Sequence, residues 1–76
     1  MFVKTIKGAE IDDGDIWVDA EGKLWQLSKV QRMAKGGMQA EGSELGRLRP
    51  GQVRRWMSGR WGADEETKVV STMRDD

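Results

Sequence analysis

Near the amino end of the chain, short segments alternate apolar and polar positions, as strands with one buried face do. Residues 2–6, sequence FVKTI, are apolar at both ends and β-branched in the middle. Residues 16–20, sequence IWVDA, place every second side chain on the same face. Each of the two segments therefore predicts a strand.

The acidic stretch GAEIDDGD, residues 8–15, separates these two segments and predicts a turn. Gly14 can adopt the backbone conformation of a tight turn without steric cost, and the short aspartate side chains around it can accept hydrogen bonds from backbone amides. A calcium loop needs acids at alternate positions, a glycine at the sixth and a closing glutamate, and this stretch does not supply that spacing. We therefore predict no metal site here.

The segment LWQLSKVQRM, residues 24–33, follows the hairpin sequence AEGK and is ambiguous in its period. One alternative is a helix that begins at Asp19 and ends at the glycine pair 36–37. The apolar side of that helix would consist of Leu24, Leu27, Val30 and Ala34.

The other alternative for this segment is a long strand. Trp25, Leu27 and Met33 then share one face. Val30 falls on the other face unless a bulge near Ser28 or Lys29 restores the phase. We predict the strand with its bulge, because long bent strands of this kind are how small barrels close.

A return strand and a polar connection follow the glycine pair. Residues 38–42, sequence MQAEG, predict the return strand, and residues 43–48, sequence SELGRL, predict the connection. We expect Leu45 and Leu48 to be buried anchors of this connection.

Residues 50–58 predict a short helix. Pro50 suits its first turn, because the fixed φ of proline fits that position and its missing N–H is not needed there. Val53, Trp56 and Met57 then fall on one side at i, i+3 and i+4, which predicts that Trp56 belongs to the core. Gly59 is suited to end the helix.

The last predicted elements are an acidic turn, ADEE, a final strand over residues 67–73, sequence TKVVSTM, and a frayed tail at 74–76. Together these elements predict a mainly β protein. The fold we expect is a single SH3-like barrel of about five strands over residues 1–73, with a short helix before the last strand.

One segment, IKGAEIDDGDIWVDAEGKLWQLSKVQRMAKGGM, resembles the start of the KOW-type, SH3-like domain that opens elongation factor P and its relatives. The shared pattern is a short strand, an Ala-x-x-Ile-x-x-Gly turn, a strand, a Gly-Lys hairpin, a long strand and a Lys-Gly-Gly loop. The resemblance covers under half of the chain, and Met33 and Ala34 stand where the family usually has Pro-Gly. It implies the barrel fold, and it implies that Lys35 reaches toward RNA. The pattern is also similar to that of small phage-encoded proteins.

Composition limits the chemistry that is available to the chain. Its 76 residues make one domain, which is too small to enclose a deep substrate cavity. The absence of cysteine and histidine excludes disulfides, the usual zinc, iron and copper ligand sets, and catalysis by a histidine base or a cysteine nucleophile. We expect a protein that is not an enzyme and binds no cofactor.

No segment of the sequence predicts a contact with a membrane. The longest apolar runs are two or three residues, far below the roughly 20 that a membrane-spanning helix needs, and the amino end lacks the hydrophobic region of a signal peptide. We expect a cytoplasmic protein, either of its own organism or of a host.

The charge of the chain is balanced overall but unevenly distributed. Thirteen basic and 13 acidic residues give a net charge of zero. Residues 47–61, sequence RLRPGQVRRWMSGRW, contain five arginines and two tryptophans and no carboxylate, whereas residues 10–21 contain six acids and no base. Paired hydrogen bonds from arginine and the flat ring of tryptophan suit an intermolecular surface. The candidate partner-binding residues are Arg47, Arg49, Arg54, Arg55, Arg60, Trp61 and Lys35.

Three interpretations of the arginine cluster remain open. In the first, the chain is a protein-binding adaptor or inhibitor in which an exposed Trp61 anchors the partner. In the second it is an accessory protein that binds RNA or DNA, with Arg54 and Arg55 projecting from the helix. In the third, the arginines pair with the acidic first half of the chain. Zero net charge and a pI near 6.3 favour the protein partner, because nucleic-acid binders usually carry a basic excess.

Overall fold

The computed structural model describes residues 2–71, which form six β-strands and one short 3₁₀ turn. The strands are β1 (Val3–Lys7), β2 (Ile16–Val18), β3 (Leu24–Arg32), β4 (Met38–Glu44), β5 (Trp56–Trp61) and β6 (Glu66–Val70). The 3₁₀ turn, Gly8–Glu10, follows β1. The predicted mainly β class is confirmed, and the described residues contain no helix that is long and apolar enough to cross a membrane.

The six strands join in one antiparallel sheet, in the order β1-β6-β2-β3-β4-β5. The short strand β2 lies near the middle, with Trp17 opposite Trp25 of β3 on one side and Val69 of β6 on the other. Within residues 2–71 the edge strands β1 and β5 do not pair, so the sheet is open and the prediction of a closed barrel is wrong. Strand β5 therefore has one free edge.

The sheet bends over a single hydrophobic core. The buried cluster consists of Ile6, Ile11, Leu27, Met38, Ala40, Trp61 and Val69. Trp61 meets Trp17 edge to face, with the ring centroids 5.4 Å apart. This contact brings the end of edge strand β5 back over the middle of the sheet.

Strand β3 is the segment whose period is ambiguous in the sequence. It is extended over residues 24–32, so the strand prediction is confirmed and the helical alternative is wrong. Its register against β4 shifts between Ser28 and Gln31, and Lys29 has a φ of 52°, which places the bulge where it was predicted. Within this bulge, Val30 packs against the buried cluster.

The helix predicted over residues 50–58 is absent, and this prediction is wrong. The N–H of Gln52 donates to the carbonyl oxygen of Arg49 at 3.0 Å, and Gly51 has a φ of 85°. Pro50 and Gly51 therefore occupy the two central positions of a type II turn. A residue with that φ cannot continue a right-handed helix, and the next regular element is strand β5, which begins at Trp56.

The predictions for the acidic turn, the two leucines and the tail differ in outcome. The acidic turn before the last strand is confirmed at Ala63 and Asp64. Leu45 is half-buried, but Leu48 is exposed, so its prediction as a buried anchor is wrong. The predicted tail at 74–76 lies outside the described residues.

Candidate partner-binding arm

The loop between β4 and β5, residues 45–55, forms a defined hairpin extension that we call the arm. Two backbone hydrogen bonds fix its base: the N–H of Leu45 donates to the carbonyl oxygen of Leu24, and the N–H of Glu44 donates to that of Arg55, both at 2.9 Å. The type II turn closes its tip. The arm is therefore shaped by its own backbone although most of its side chains are exposed.

The arginines of the arm differ in their contacts. Arg54 is half-buried, and its guanidinium donates to the carbonyl oxygen of Glu44 at 2.6 Å. This bond stabilises the arm, whereas the sequence predicts that Arg54 projects from a helix toward a partner. Arg47, Arg49 and Arg55 are exposed, and within residues 2–71 none of them has a carboxylate partner. Ion pairs in the described part of the chain include Lys7–Asp64, Lys23–Glu21 and Lys29–Glu41, and each of these uses a lysine. The arginine cluster is thus not paired with the acidic first half.

Acids of the first half accept hydrogen bonds close to their own positions. A carboxylate oxygen of Asp15 accepts from the N–H of Asp12 at 2.8 Å. Asp19 accepts from the indole N–H of Trp25 at 3.0 Å and from two backbone amides of its own turn. The Trp25 bond, followed by the backbone bonds and the nearby lysine, holds the pKa of Asp19 below its usual value, against a smaller opposing effect of desolvation. These acids therefore stabilise turns, and no carboxylate among residues 2–71 pairs with the exposed arginines of the arm.

Apolar side chains stand beside the exposed arginines. Val53 is 86% exposed, Trp56 65% and Leu48 48%. An open cleft of about 410 Å³ lies between the two limbs of the arm. Trp56 is the first residue of β5 and pairs with Ser43 on the outer face of the sheet, so its prediction as a core residue is wrong. The arm and Trp56 together present a surface that is both cationic and apolar.

The predicted site residues do not form one surface. Arg47, Arg49, Arg54 and Arg55 lie in the arm. Arg60, Trp61 and Lys35 lie at the other end of the β4–β5 hairpin. The seven residues of β4 separate these two groups by about 20 Å, at about 3.4 Å per residue.

Trp61 is only 4% exposed, so its prediction as an exposed anchor is wrong. Three glycines allow close packing against the backbone and the indole ring of Trp61. A Cβ atom on Gly8 would collide with the carbonyl oxygen of Gly62, and one on Gly37 would collide with the carbonyl oxygen of Trp61. A Cβ atom on Gly59 would lie 2.8 Å from the Trp61 ring. Trp61 is therefore a tightly packed core residue.

Sequence reasoning missed the exposure of Leu48, Val53 and Trp56 and the free edge of β5. Two signals could have indicated them. Pro50-Gly51 is a type II turn pair as well as a helix start. From Met57 to Trp61 the period of two places every second residue on the inner face, which the structure follows.

Comparison with protein-family models, curated proteins and solved structures finds no significant match for this chain. The fold and the arm therefore define a class only: a small antiparallel β-sheet protein with an exposed arginine and tryptophan surface.

Proposed function

We propose that this chain is a non-enzymatic protein-binding module, an adaptor or inhibitor that contacts its partner through the arm and Trp56. The observation that carries the proposal is the exposure of Leu48, Val53 and Trp56 beside arginines that lack carboxylate partners within residues 2–71. Tryptophan and arginine are the residue types that most often dominate the binding energy of protein interfaces. Grouped exposed apolar side chains are typical of interaction sites.

The side chains of the arm and Trp56 indicate what kind of partner surface they would bind. Val53 and Trp56 would enter apolar depressions, and Arg47, Arg49 and Arg55 would face carboxylates around them. The hydrogen bonds at the base of the arm and its tip turn hold the backbone before binding, which lowers the entropic cost of association. We therefore expect a partner surface with apolar pockets and an acidic rim.

A nucleic-acid-binding accessory function is the second candidate. The absence of carboxylate partners for Arg47, Arg49 and Arg55 within the described residues favours it, because guanidinium groups bind phosphates and Trp56 could stack on a base. Leu48 and Val53 favour the protein partner, since aliphatic side chains lack the aromatic ring that stacks on bases and make no hydrogen bond to phosphates. The zero net charge also favours the protein partner.

We also propose that the sheet is a partly open form of the SH3-like barrel. Its support is the short strand β2, which pairs with both β6 and β3, together with the bulged strand β3 and the contact of Trp17 with Trp61 across the bend. A location in the cytoplasm remains an expectation of the sequence.

A displayed library of random peptides tests the protein-binding function, because it offers the arm many candidate binding sequences at once. The intact chain is compared with a variant that combines Leu48→Ser, Val53→Ser and Trp56→Ser. Phe2→Ser is the matched control, because Phe2 is an exposed apolar residue beside the other edge strand. We expect the intact chain and the Phe2 variant to enrich acidic peptides with apolar residues, and the arm variant to bind those peptides at least tenfold more weakly.

The same proteins are titrated with fluorescent single-stranded and double-stranded DNA and RNA. Protein binding by the arm is contradicted if no peptides are enriched, or if the enriched peptides bind the arm variant normally. Nucleic-acid affinity that persists at physiological salt and falls log-linearly as salt rises would establish the second candidate instead.

A further inference from the structure

We infer that the free edge of β5 pairs with the same edge of a second copy of this chain, which forms a symmetric antiparallel dimer. The inference goes beyond the proposed function, because it concerns pairing of the β5 backbone with a second copy of this chain. Trp56 and the arginines of the arm take part in this contact as well as in the proposed partner surface. It follows from the hydrogen-bond phase of the strand, from its side chains and from the charges at its two ends.

The hydrogen-bond phase shows which backbone groups of β5 are free. Because the N–H of Glu44 donates to the oxygen of Arg55, antiparallel alternation makes every second residue from Arg55 to Trp61 bond to β4. The N–H and C=O groups of Trp56, Ser58 and Arg60 then face away from the sheet. Within residues 2–71 these groups make no backbone hydrogen bond, and such a row is a template for another strand.

The two edges of the sheet are not equivalent. On β1, Lys4 shares the inner face with the buried Ile6, and an inward-pointing charge is a device that discourages edge-to-edge pairing. The inner face of β5 carries Met57, Gly59 and Trp61, so no charge protects this edge. Strand β5 is therefore the edge that is open to pairing.

The side chains of β5 complement those of a second β5 strand. When the twofold axis passes between the two Ser58 residues, the outward-facing N–H and C=O groups of Trp56, Ser58 and Arg60 all bond to the other copy. Trp56 of each copy then lies opposite Arg60 of the other, on the same outer face. Cβ atoms of such pairs are about 5.5 Å apart, within reach for a guanidinium to stack on an indole.

The charges at the two ends of β5 also match. The arginines of the arm precede the strand, and the acids Asp64, Glu65 and Glu66 follow it. Antiparallel pairing places the arm of each copy beside the acidic turn of the other copy, and the twofold symmetry repeats this contact. Asp64 is available for it, since its side chain is 93% exposed and its ion pair with Lys7 is long, at 3.9 Å.

Sedimentation equilibrium of the intact chain, from about 10 μM to about 1 mM, tests this dimer. We expect the mass to rise from 8.6 kDa toward twice that value as concentration increases. Ser58→Pro removes an N–H that faces away from β4, so the fold should persist by circular dichroism while dimerisation weakens at least tenfold. Thr5→Pro is the matched control, because the bond from Ser71 N–H to the Phe2 oxygen places the Thr5 N–H on the free side of β1. That variant should dimerise normally.

Arg60→Glu gives a second readout that does not depend on tolerating a proline, and it should also weaken the dimer about tenfold. A chain that stays monomeric up to about 1 mM overturns the inference. So does a dimer that resists both Ser58→Pro and Arg60→Glu, or one that Thr5→Pro dissociates. A monomer that binds arm-dependent peptides would separate this failure from a failure of the proposed function.

Discussion

Strand β5 carries a tryptophan at each end, and the two lie in opposite environments. Trp61 packs edge to face on Trp17 in the core, whereas Trp56 lies on the outer face beside the arm. The two residues are five positions apart, and an odd separation along a strand places side chains on opposite faces. Residue type therefore does not decide which tryptophan is buried; the parity of its position in the strand does.

The two ends of strand β5 contribute differently to stability and to binding. Glycines pack closely against Trp61, so the Trp61 end of β5 contributes to core packing and stability. The Trp56 end has exposed apolar and cationic side chains and an arm held by backbone hydrogen bonds, so it can change without loss of the core. Substitutions at the two ends should separate stability from binding.

The largest effect is expected for Trp61→Ala. Removing a buried tryptophan typically costs about 3–5 kcal/mol, which is a large share of the stability of a domain this small. Urea unfolding followed by circular dichroism should show a variant that is unfolded or close to it. An unchanged unfolding midpoint would mean that the core does not depend on Trp61.

A smaller loss is expected for Gly8→Ala, because its new Cβ would collide with the carbonyl oxygen of Gly62 and lie 2.9 Å from the Cβ of Trp61. Such overpacking typically costs about 1–3 kcal/mol. Gly62→Ala is the matched control, since its Cβ would meet nothing closer than 3.7 Å, and it should change the free energy of unfolding by less than about 0.5 kcal/mol. Equal losses in the two variants would refute the close approach at Gly8.

A pH-dependent loss is expected for Asp19→Asn, whose carboxylate accepts the indole N–H of Trp25 and two backbone amides. The folded pKa of Asp19 is lowered, so its charged form stabilises the fold at neutral pH, and this contribution disappears as the pH falls through the folded pKa. The variant should melt at a lower temperature than the parent at pH 7. The difference in Tm should shrink below about pH 4. A difference that stays constant with pH would contradict this role of the charge.

The smallest effect on stability is expected for Trp56→Ala. An exposed side chain outside the core should change the free energy of unfolding by less than about 0.5 kcal/mol. The variant should nevertheless lose affinity for peptides that the arm selects. A stability loss similar to that of Trp61→Ala would show that Trp56 is buried and that the orientation of β5 is wrong.

The first half of the fold could be predicted because local patterns there agree with the final structure. The bulge near Lys29 was predictable, since only a phase change in a strand lets Val30 join Leu27 in the core. The hairpin before β3 and the acidic turn at Gly14 likewise follow from residues that are close in sequence.

The second half could not be predicted in the same way. Pro50-Gly51 fits either a helix start or a type II turn, and pairing with β4, which is distant in sequence, decides between them. The helical period groups Val53, Trp56 and Met57, whereas the strand period groups Met57 with Trp61. The position of the arginine cluster was therefore predictable, but the exposure of its two tryptophans was reversed.

Strand β5 buries Trp61 and exposes Trp56. Paramagnetic quenching of the four indole N–H signals by a soluble gadolinium chelate measures this difference in exposure. The Trp56 signal is assigned from its absence in Trp56→Phe, and the protein is kept dilute. We expect the Trp56 signal to lose the most intensity and the Trp61 signal to be among the best protected. A Trp61 signal that is quenched as strongly as that of Trp56 would show that β5 does not bury Trp61.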